Sequence, residues 1–476
     1  MVNNNKKNCG GTRPKLNSEK NSSQTAKRKA QKKGAGGLRY KAPEPWVRFG
    51  RNTQLGVPGL EKRYITIGID FGTAFTKASV GLLDKIYIVN WNGVLDNSKE
   101  VFTLPCEFSV LGNNYCVLGH APNAREVFTQ LKHPFLEGLP SAEDVARATA
   151  FLALVLRYVR AWLFHQHGTL VQDRSVIWSV NIGIPSKPFE NKKLQQVYRS
   201  MAGLAWRLSS ENKPITLQQA RVIDADPNNK SSGDLESITI IPEFVAQIAS
   251  YVQSPQRQPD LHMIMDVGAG TIDVATFNVH ESDGENVYPI FSSEVKPLGT
   301  HFLTKQRIGL LNGKKSIQWD DFSPVLSASD FCKKFTVDPV SVENCDDNHS
   351  RQVSTTVCSV LHHTRTKRYR ISRNWGNGIR VFFCGGGAES AVFGKALEMA
   401  SKTGKVALRV TPLPFPANAE AKGLNKKDFH RVAVAYGLGM YAENLGRIQP
   451  AAEVADDELV QRRIWERPDR DELYPK

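Results

Sequence analysis

Met265-Asp266-Val267-Gly268-Ala269-Gly270-Thr271 repeats the order of residue types in Ile69-Asp70-Phe71-Gly72-Thr73-Ala74, with the second aspartate 196 positions after the first. Each stretch reads as an apolar strand ending in an aspartate, a glycine turn and a second β-rich run. The chemistry of the unit is specific. The strand delivers a carboxylate at its end. Glycine lets the backbone come close to a ligand with no Cβ in the way. Successive turn N–H groups form a concave nest for phosphate oxygens. Two such hairpins facing each other would clamp a polyphosphate from both sides. Asp70 and Asp266 would then hold a hydrated Mg²⁺ against it, because Mg²⁺ prefers oxygen ligands and keeps its waters. Gly385-Gly386-Gly387, closing a later strand at 379–384, offers a third close backbone approach, suited to a nucleoside.

Around these turns the pattern is that of an α/β chain. Ile65, Ile67 and Ile69 alternate with Thr66, Gly68 and Asp70, a strand signal. Residues 75–80, 176–184 and 271–279 read as further strands. Residues 141–165 predict a helix, with Ser141 as N-cap and Glu143 and Asp144 in its first turn. Residues 194–208, 243–253 and 430–444 also read as helical. Residues 280–295 and 312–350 are polar and predict irregular chain.

The 476 residues carry 62 Lys and Arg against 47 Asp and Glu, a net charge of +15. Twelve of those basic residues lie in 1–45, opposed only by Glu19 and Glu44. That segment has too little apolar content to offset ordering entropy, so it predicts a basic disordered tail. Such a tail suits nucleic acid, acidic partners, anionic lipid or simple solubility. Seven scattered cysteines exclude a disulfide scaffold. The most apolar run, 151–164, contains Arg157 and Arg160 and is too short to span a bilayer. A polar N-terminus without an apolar core predicts no cleaved secretory leader, hence a cytoplasmic location, or a nuclear one in a eukaryote. Gly309–Ser316 falls one residue short of the Walker A spacing. Cys332, Cys345 and Cys358, thirteen residues apart, fit no zinc spacing.

Taken together these segments resemble the superfamily of actin, sugar-kinase and DnaK-type heat-shock-chaperone ATPases. IGIDFGTAFTKASV at 67–80 is similar to its first phosphate motif, and IMDVGAGTIDVATF at 264–277 to its second. WSVNIGIPSKPF from Trp178 is similar to the first connecting segment, IPEFVAQIASY at 241–251 to the chaperone helix that follows it, VFFCGGGA at 381–388 to the adenosine motif and VAVAYGLG at 432–439 to the second connecting segment. The resemblance implies an actin-like ATPase fold, two ribonuclease-H-like lobes with a nucleotide cleft between them. It places a basic tail at 1–62, the first lobe at 63–258 completed by a helix at 430–447, the second lobe at 259–429 and a charged C-terminal tail at 448–476.

The same resemblance implies roles. Asp70 and Asp266 orient Mg²⁺ through water. Gly72, Thr73, Ala74 and Phe75 present backbone donors to the phosphates of ATP or ADP, as do Gly268, Ala269, Gly270 and Thr271. Glu243 and Asp273 position the attacking water, Lys132 reaches the γ-phosphate, and Gly385, Gly386 and Gly387 approach the adenosine. Two departures stand out. Glu389 replaces the arginine of the chaperone adenosine motif, and the adenine-lining helix has only 350–369 as a counterpart, with Lys367 and Arg368 as base-stacking groups. After Asn444 only a short charged stretch follows, so no peptide-binding domain of the chaperone kind is expected. The implied function is a slow Mg-ATPase acting as a chaperone-like switch on a protein or nucleoprotein partner. A filament-forming actin relative is the alternative. Asp273 counts against a small-molecule kinase.

Overall fold

The computed structural model describes residues 40–51, 60–96, 101–221, 235–311, 322 and 324–454. The protein is a mixed α/β structure built on two seven-stranded sheets. In the first, Lys62–Phe71 (β1), Phe75–Leu82 (β2) and Lys85–Ile88 (β3) form an antiparallel meander. Ser175–Ile184 (β4) adds parallel to β1, and Leu235–Pro242 (β5) parallel to β4. The second sheet repeats this plan. His262–Val267 (β6), Ile272–Phe277 (β7) and Glu285–Lys296 (β8) form the meander. Ile379–Cys384 (β9) and Leu408–Val410 (β10) then add in parallel. The sequence echo at the two aspartates is therefore an echo of these five strands of each sheet, in order and sense.

Helices fill both faces. Ala142–His167 (α1) starts from a capping box in which Ser141 accepts from the Asp144 amide and Asp144 reaches back. It packs with Lys192–Ser210 (α2) on the outer face of the first sheet. Glu243–Val252 (α3) leads from β5 to β6 and is buried on all sides. Its Tyr251 and Phe244 rings lie on Phe382 and Phe277 of the second sheet, at 4.6 and 5.9 Å. Thr300–Gly309 (α4), Pro339–His363 (α5) and Ala391–Gly404 (α6) follow β8 and β9, with α5 and α6 covering the far face of that sheet. Ala433–Leu438 (α7) lies on the inner face of the first sheet, where Ser79 donates to the Ala435 carbonyl and Asn181 to those of Leu438 and Met440. α7 and α3 touch closely: a Cβ on Gly437 would fall 2.0 Å from the Ala246 carbonyl oxygen. One apolar core thus joins both sheets through these two helices. The layers run α1 and α2, first sheet, α7, α3, second sheet, α5 and α6.

The alternation in β1 gives the expected strand, buried on both faces. Its isoleucines face α1, and its small residues make room for α7, where a Cβ on Gly68 would meet Leu438 at 2.4 Å. Several expectations need correction. Residues 280–295 are not irregular: they hold His280–Ser282 and most of β8, whose run Val287-Tyr288-Pro289-Ile290-Phe291 sits between polar flanks that masked it. Much of 324–350 is helical, in Ala328–Phe335 and the first half of α5, while 312–321 and 323 lie outside the described residues. The helix expected over 430–444 is only α7, flanked by 3₁₀ turns at Lys426–Arg431 and Ala442–Leu445.

The segment boundaries shift as well. The tail expected to run to residue 62 includes a docked segment. Tyr40 bridges Leu95, and in the 3₁₀ turn Pro45–Arg51 the Trp46 ring stacks on His165 of α1 at 4.7 Å. Apolar Tyr40 and Trp46 supply the burial that the lysine-rich stretch lacks, and residues 1–39 lie outside the described residues. Ala419–Glu420 (β11) falls inside the stretch assigned to the second lobe, yet it pairs with β3 of the first sheet. Arg447–Gln449 (β12), assigned to first-lobe helix and C-terminal tail, pairs with β8 of the second. Residues 455–476 lie outside the described residues.

Candidate functional site

Each hairpin carries its aspartate at the strand end, and the structure brings the two turns together. A Cβ on Gly270 would lie 3.1 Å from the Thr73 side chain. In the first hairpin Gly72 is required by the turn itself, since a Cβ there would meet the Phe75 carbonyl oxygen at 2.2 Å. Phe75 opens β2 and sets its ring edge-on to Phe322, at 5.8 Å. In the second, the Gly268 amide donates to the Thr271 carbonyl at 2.9 Å. Amides of Gly299, Thr300 and His301, where α4 begins, bind the carbonyls of Gly270, Gly268 and Ala269 from below. Three turn carbonyls are thereby tied down on the side away from the first hairpin.

The strand register fixes the charged groups. Asp70 stands opposite Lys77 across β1 and β2, and Lys77 Nζ lies 3.0 Å from Asp70 Oδ2. Asp266 stands opposite Asp273 across β6 and β7. Asp273 Oδ2 accepts from the backbone amide and the hydroxyl of Ser186, both at 2.9 Å. Glu243, the first residue of α3, pairs with Lys132 at 2.5 Å, both side chains nearly enclosed. Gly183 makes that placement possible, since a Cβ there would sit 2.9 Å from Glu243 Cγ. Gly385 has φ +82°, and a Cβ on it would strike Asp266 Oδ1 at 2.2 Å. Gly387 packs against Val267. Gly386 faces open space, with no described atom within 4 Å of its Cβ position.

These groups feel one another. Burial pushes the Asp266 carboxyl up to about 6, opposed by Lys77 and reinforced by Asp70 and Asp273. Burial likewise pushes Asp273 up to about 6, opposed by the Ser186 bonds and Lys132 and reinforced by Glu243. Glu243 is raised by burial, countered mainly by Lys132, with Asp70 and Asp266 adding to the rise. Four carboxylates thus share a neighbourhood with two lysines and keep a surplus of negative charge. Three oxygens here are buried with no hydrogen-bond partner among the described residues: Asp266 Oδ1, Asp273 Oδ1 and Gln247 Oε1. Hard oxygen acceptors short of donors suit a divalent cation that brings its own water. Among the described residues no three Asp, Glu, His or Cys side chains converge closely enough to hold a metal directly, so contact would pass through water.

Asp70, Lys132, Glu243, Asp266, Asp273 and both glycine turns are therefore brought into one neighbourhood. Lys77, Ser186 and Gln247 were not singled out from the sequence. Counting back from the Gly72 turn in antiparallel register finds Lys77 opposite Asp70. Ser186 follows Pro185 in a segment already marked, and nothing in an apolar helix flags Gln247. Lys367 and Arg368 are not brought to the site. Their turn opens at Thr364, which meets Thr276 near the end of β7 away from Asp273, and Tyr369 stacks on Phe291 of β8. Arg368 instead donates to the Val454 carbonyl. A groove of about 790 Å³ lies elsewhere, at the edge of the first sheet between Trp46, Tyr87, Trp162 and His167. It lacks the enclosed, mutually perturbed carboxylates of the hairpin junction.

No helix among the described residues is long and apolar enough to cross a membrane. No protein-family model matches the chain. No curated protein matches it either.

Proposed function

We propose that this chain is a Mg²⁺-dependent ATPase of actin-like fold, in which each repeated sheet is the base of one lobe and ATP binds where the hairpin turns meet. The observation that carries the reading is the meeting of two Asp-Gly hairpins, from two sheets of identical plan, around a surplus of enclosed carboxylate. Backbone N–H groups of Gly72–Phe75 and of Gly268–Thr271 would cradle the phosphates. Lys77, beside Asp70, supplies positive charge at the same turn. Asp70 and Asp266 would hold the waters of the cation, which supplies charge neutralisation on the phosphate oxygens. Gly386 leaves the space a nucleoside needs.

Hydrolysis is attack of water on the γ-phosphorus, with release of ADP and inorganic phosphate. Glu243, with its raised affinity for a proton, and Asp273, anchored by Ser186, would position that water and take up its proton. Lys132 holds Glu243 in place, so catalysis is mainly positioning and electrostatics. We assign the output to lobe closure, sensed by a protein partner: ATP can touch both hairpins at once, and ADP loses part of that bridge.

Calorimetry tests the reading. The wild type should bind ATP far more tightly with Mg²⁺ than in EDTA, and Asp266→Asn should weaken the Mg²⁺-dependent binding about tenfold or more. A wild type that binds no nucleotide with Mg²⁺ would sink the proposal.

A further inference from the structure

We propose that Gln247 is part of the same site, a positioning residue whose carboxamide oxygen accepts a hydrogen bond from a water of the bound divalent cation while its amide group steers Asp266. This rests on the cation reading of the hairpin junction given above and adds to it a residue that no phosphate turn contains.

The argument starts from an anomaly of burial. α3 is enclosed on every side, and Phe244, Val245, Ala246, Ile248 and Ala249 around Gln247 are apolar. Gln247 itself is only 1% exposed. A leucine or methionine would fill the same volume with no polar group to satisfy. Gln247 lies four residues after Glu243, so the two project from one face of the helix, one turn apart. That face looks at the hairpin junction: the Gln247 side chain lies close enough to the Asp266 carboxyl to favour its charged form. A carboxylate accepts and does not donate, so the amide nitrogen must be the end that faces Asp266. The carbonyl end is then the one left over, and Oε1 is buried with no donor among the described residues.

Two more acceptors share that deficit, Asp266 Oδ1 and Asp273 Oδ1. Buried acceptors are normally paired. Three of them gathered without donors call for a compact species rich in O–H groups. A hydrated divalent cation is such a species, because each water it carries has two protons to give. Gln247 would thus read the water shell and not the metal. That favours an ion that keeps its waters, such as Mg²⁺, over one that sheds them. It also fixes the Asp266 carboxyl in the rotamer that shares the shell.

The experiment uses the full chain, with Mg²⁺ and ATP as probes. Nucleotide binding is titrated at increasing Mg²⁺, and again in EDTA, for the wild type, Gln247→Leu and Gln247→Glu. The expected result is a rise of roughly tenfold in the Mg²⁺ concentration for half-maximal binding by Gln247→Leu. Binding in EDTA should not change, and Gln247→Glu, which keeps an acceptor for the water shell but loses the amide donor to Asp266, should recover only part of the metal dependence. Thermal unfolding in EDTA checks the fold, and the Tm shift on adding Mg²⁺ alone repeats the test without nucleotide. If Gln247→Leu does not fold, Gln247→Ala takes its place. A Mg²⁺ midpoint equal to the wild type overturns the role of Gln247 and leaves the ATPase reading standing. An equal loss with and without metal overturns it too, and makes Gln247 a packing residue. A wild type without Mg²⁺-dependent binding removes both together.

Discussion

Asp273 is held by two donors from Ser186, yet its carboxyl remains raised to about 6. Burial of charge outweighs the hydrogen bonds. Its ordinary value is near 4, so between about 4 and 6 the folded state holds a proton that the unfolded state has lost. On account of Asp273, and of Asp266 beside it, the metal-free protein gains stability as pH falls through 6 toward 4. At neutral pH both carboxylates are a strain that a bound cation would relieve. Asp273→Asn keeps an acceptor for Ser186 and removes the charge. It should raise the Tm of the metal-free protein at pH 7.5 by about 2 °C while losing hydrolysis. A lower Tm in EDTA would show that the negative charge itself is structural. At this scale the sequence was informative where a glycine turn announces an aspartate. It was silent where the function depends on register, as for Lys77, or on a polar group inside an apolar face, as for Gln247.

The link between α3 and β6 holds a second titratable group. His262 is stacked between Phe277 and Phe382, with ring planes within 19° and 9° of parallel. Its ring nitrogens meet the Tyr251 hydroxyl and the Asp260 carbonyl at 2.9 and 2.8 Å. Burial lowers it to about 4, with Asp260 opposing and Arg380 assisting. The unfolded chain takes up a proton near 6.5, well before the folded one does. This element is therefore at full strength above pH 6.5 and weakens as pH falls to 4, by about 3 kcal/mol for a buried, uncharged imidazole. Hydrogen exchange should show α3 and β6 opening together over that range, and His262→Gln should flatten the dependence. An unchanged slope would place the acid sensitivity elsewhere, for example at His349, which burial also lowers to about 4. The elements that the sequence hid were those whose burial is polar. α5 encloses Asp346 through a bidentate pair with Arg307, both bonds at 2.7 Å, so its inner stripe does not read as apolar. β8 hid for the opposite reason, as an apolar run with polar ends.

For the molecule as a whole, α3 and α7 pack between the two sheets, and Gly437 against Ala246 sets how closely they approach. If ATP draws the hairpins together, the segments entering these helices must tighten. Limited proteolysis should show ATP protecting 253–260, which joins α3 to β6, and Lys426–Arg431, which precedes α7. Identical digestion with ATP, ADP and no nucleotide would leave a static scaffold. Deleting residues 1–39 should not alter this pattern, because the docked segment begins at Tyr40. The α/β class and the repeated hairpins could be read from residues 69–74 and 265–271. The layer order could not, because it depends on pairings such as β11 with β3, far apart in the chain.

That pairing governs how the protein can be made. β3 waits for Ala419–Glu420, and β8 waits for Arg447–Gln449. A ribosome delivers the chain from the N-terminus at about 5–20 residues per second. The first sheet is therefore exposed along one edge for roughly twenty seconds or more before its last strand emerges. Neither half can be completed as an independent unit during synthesis. The nascent protein carries an open sheet edge through most of its translation, a template for pairing with other chains until the last strands are out.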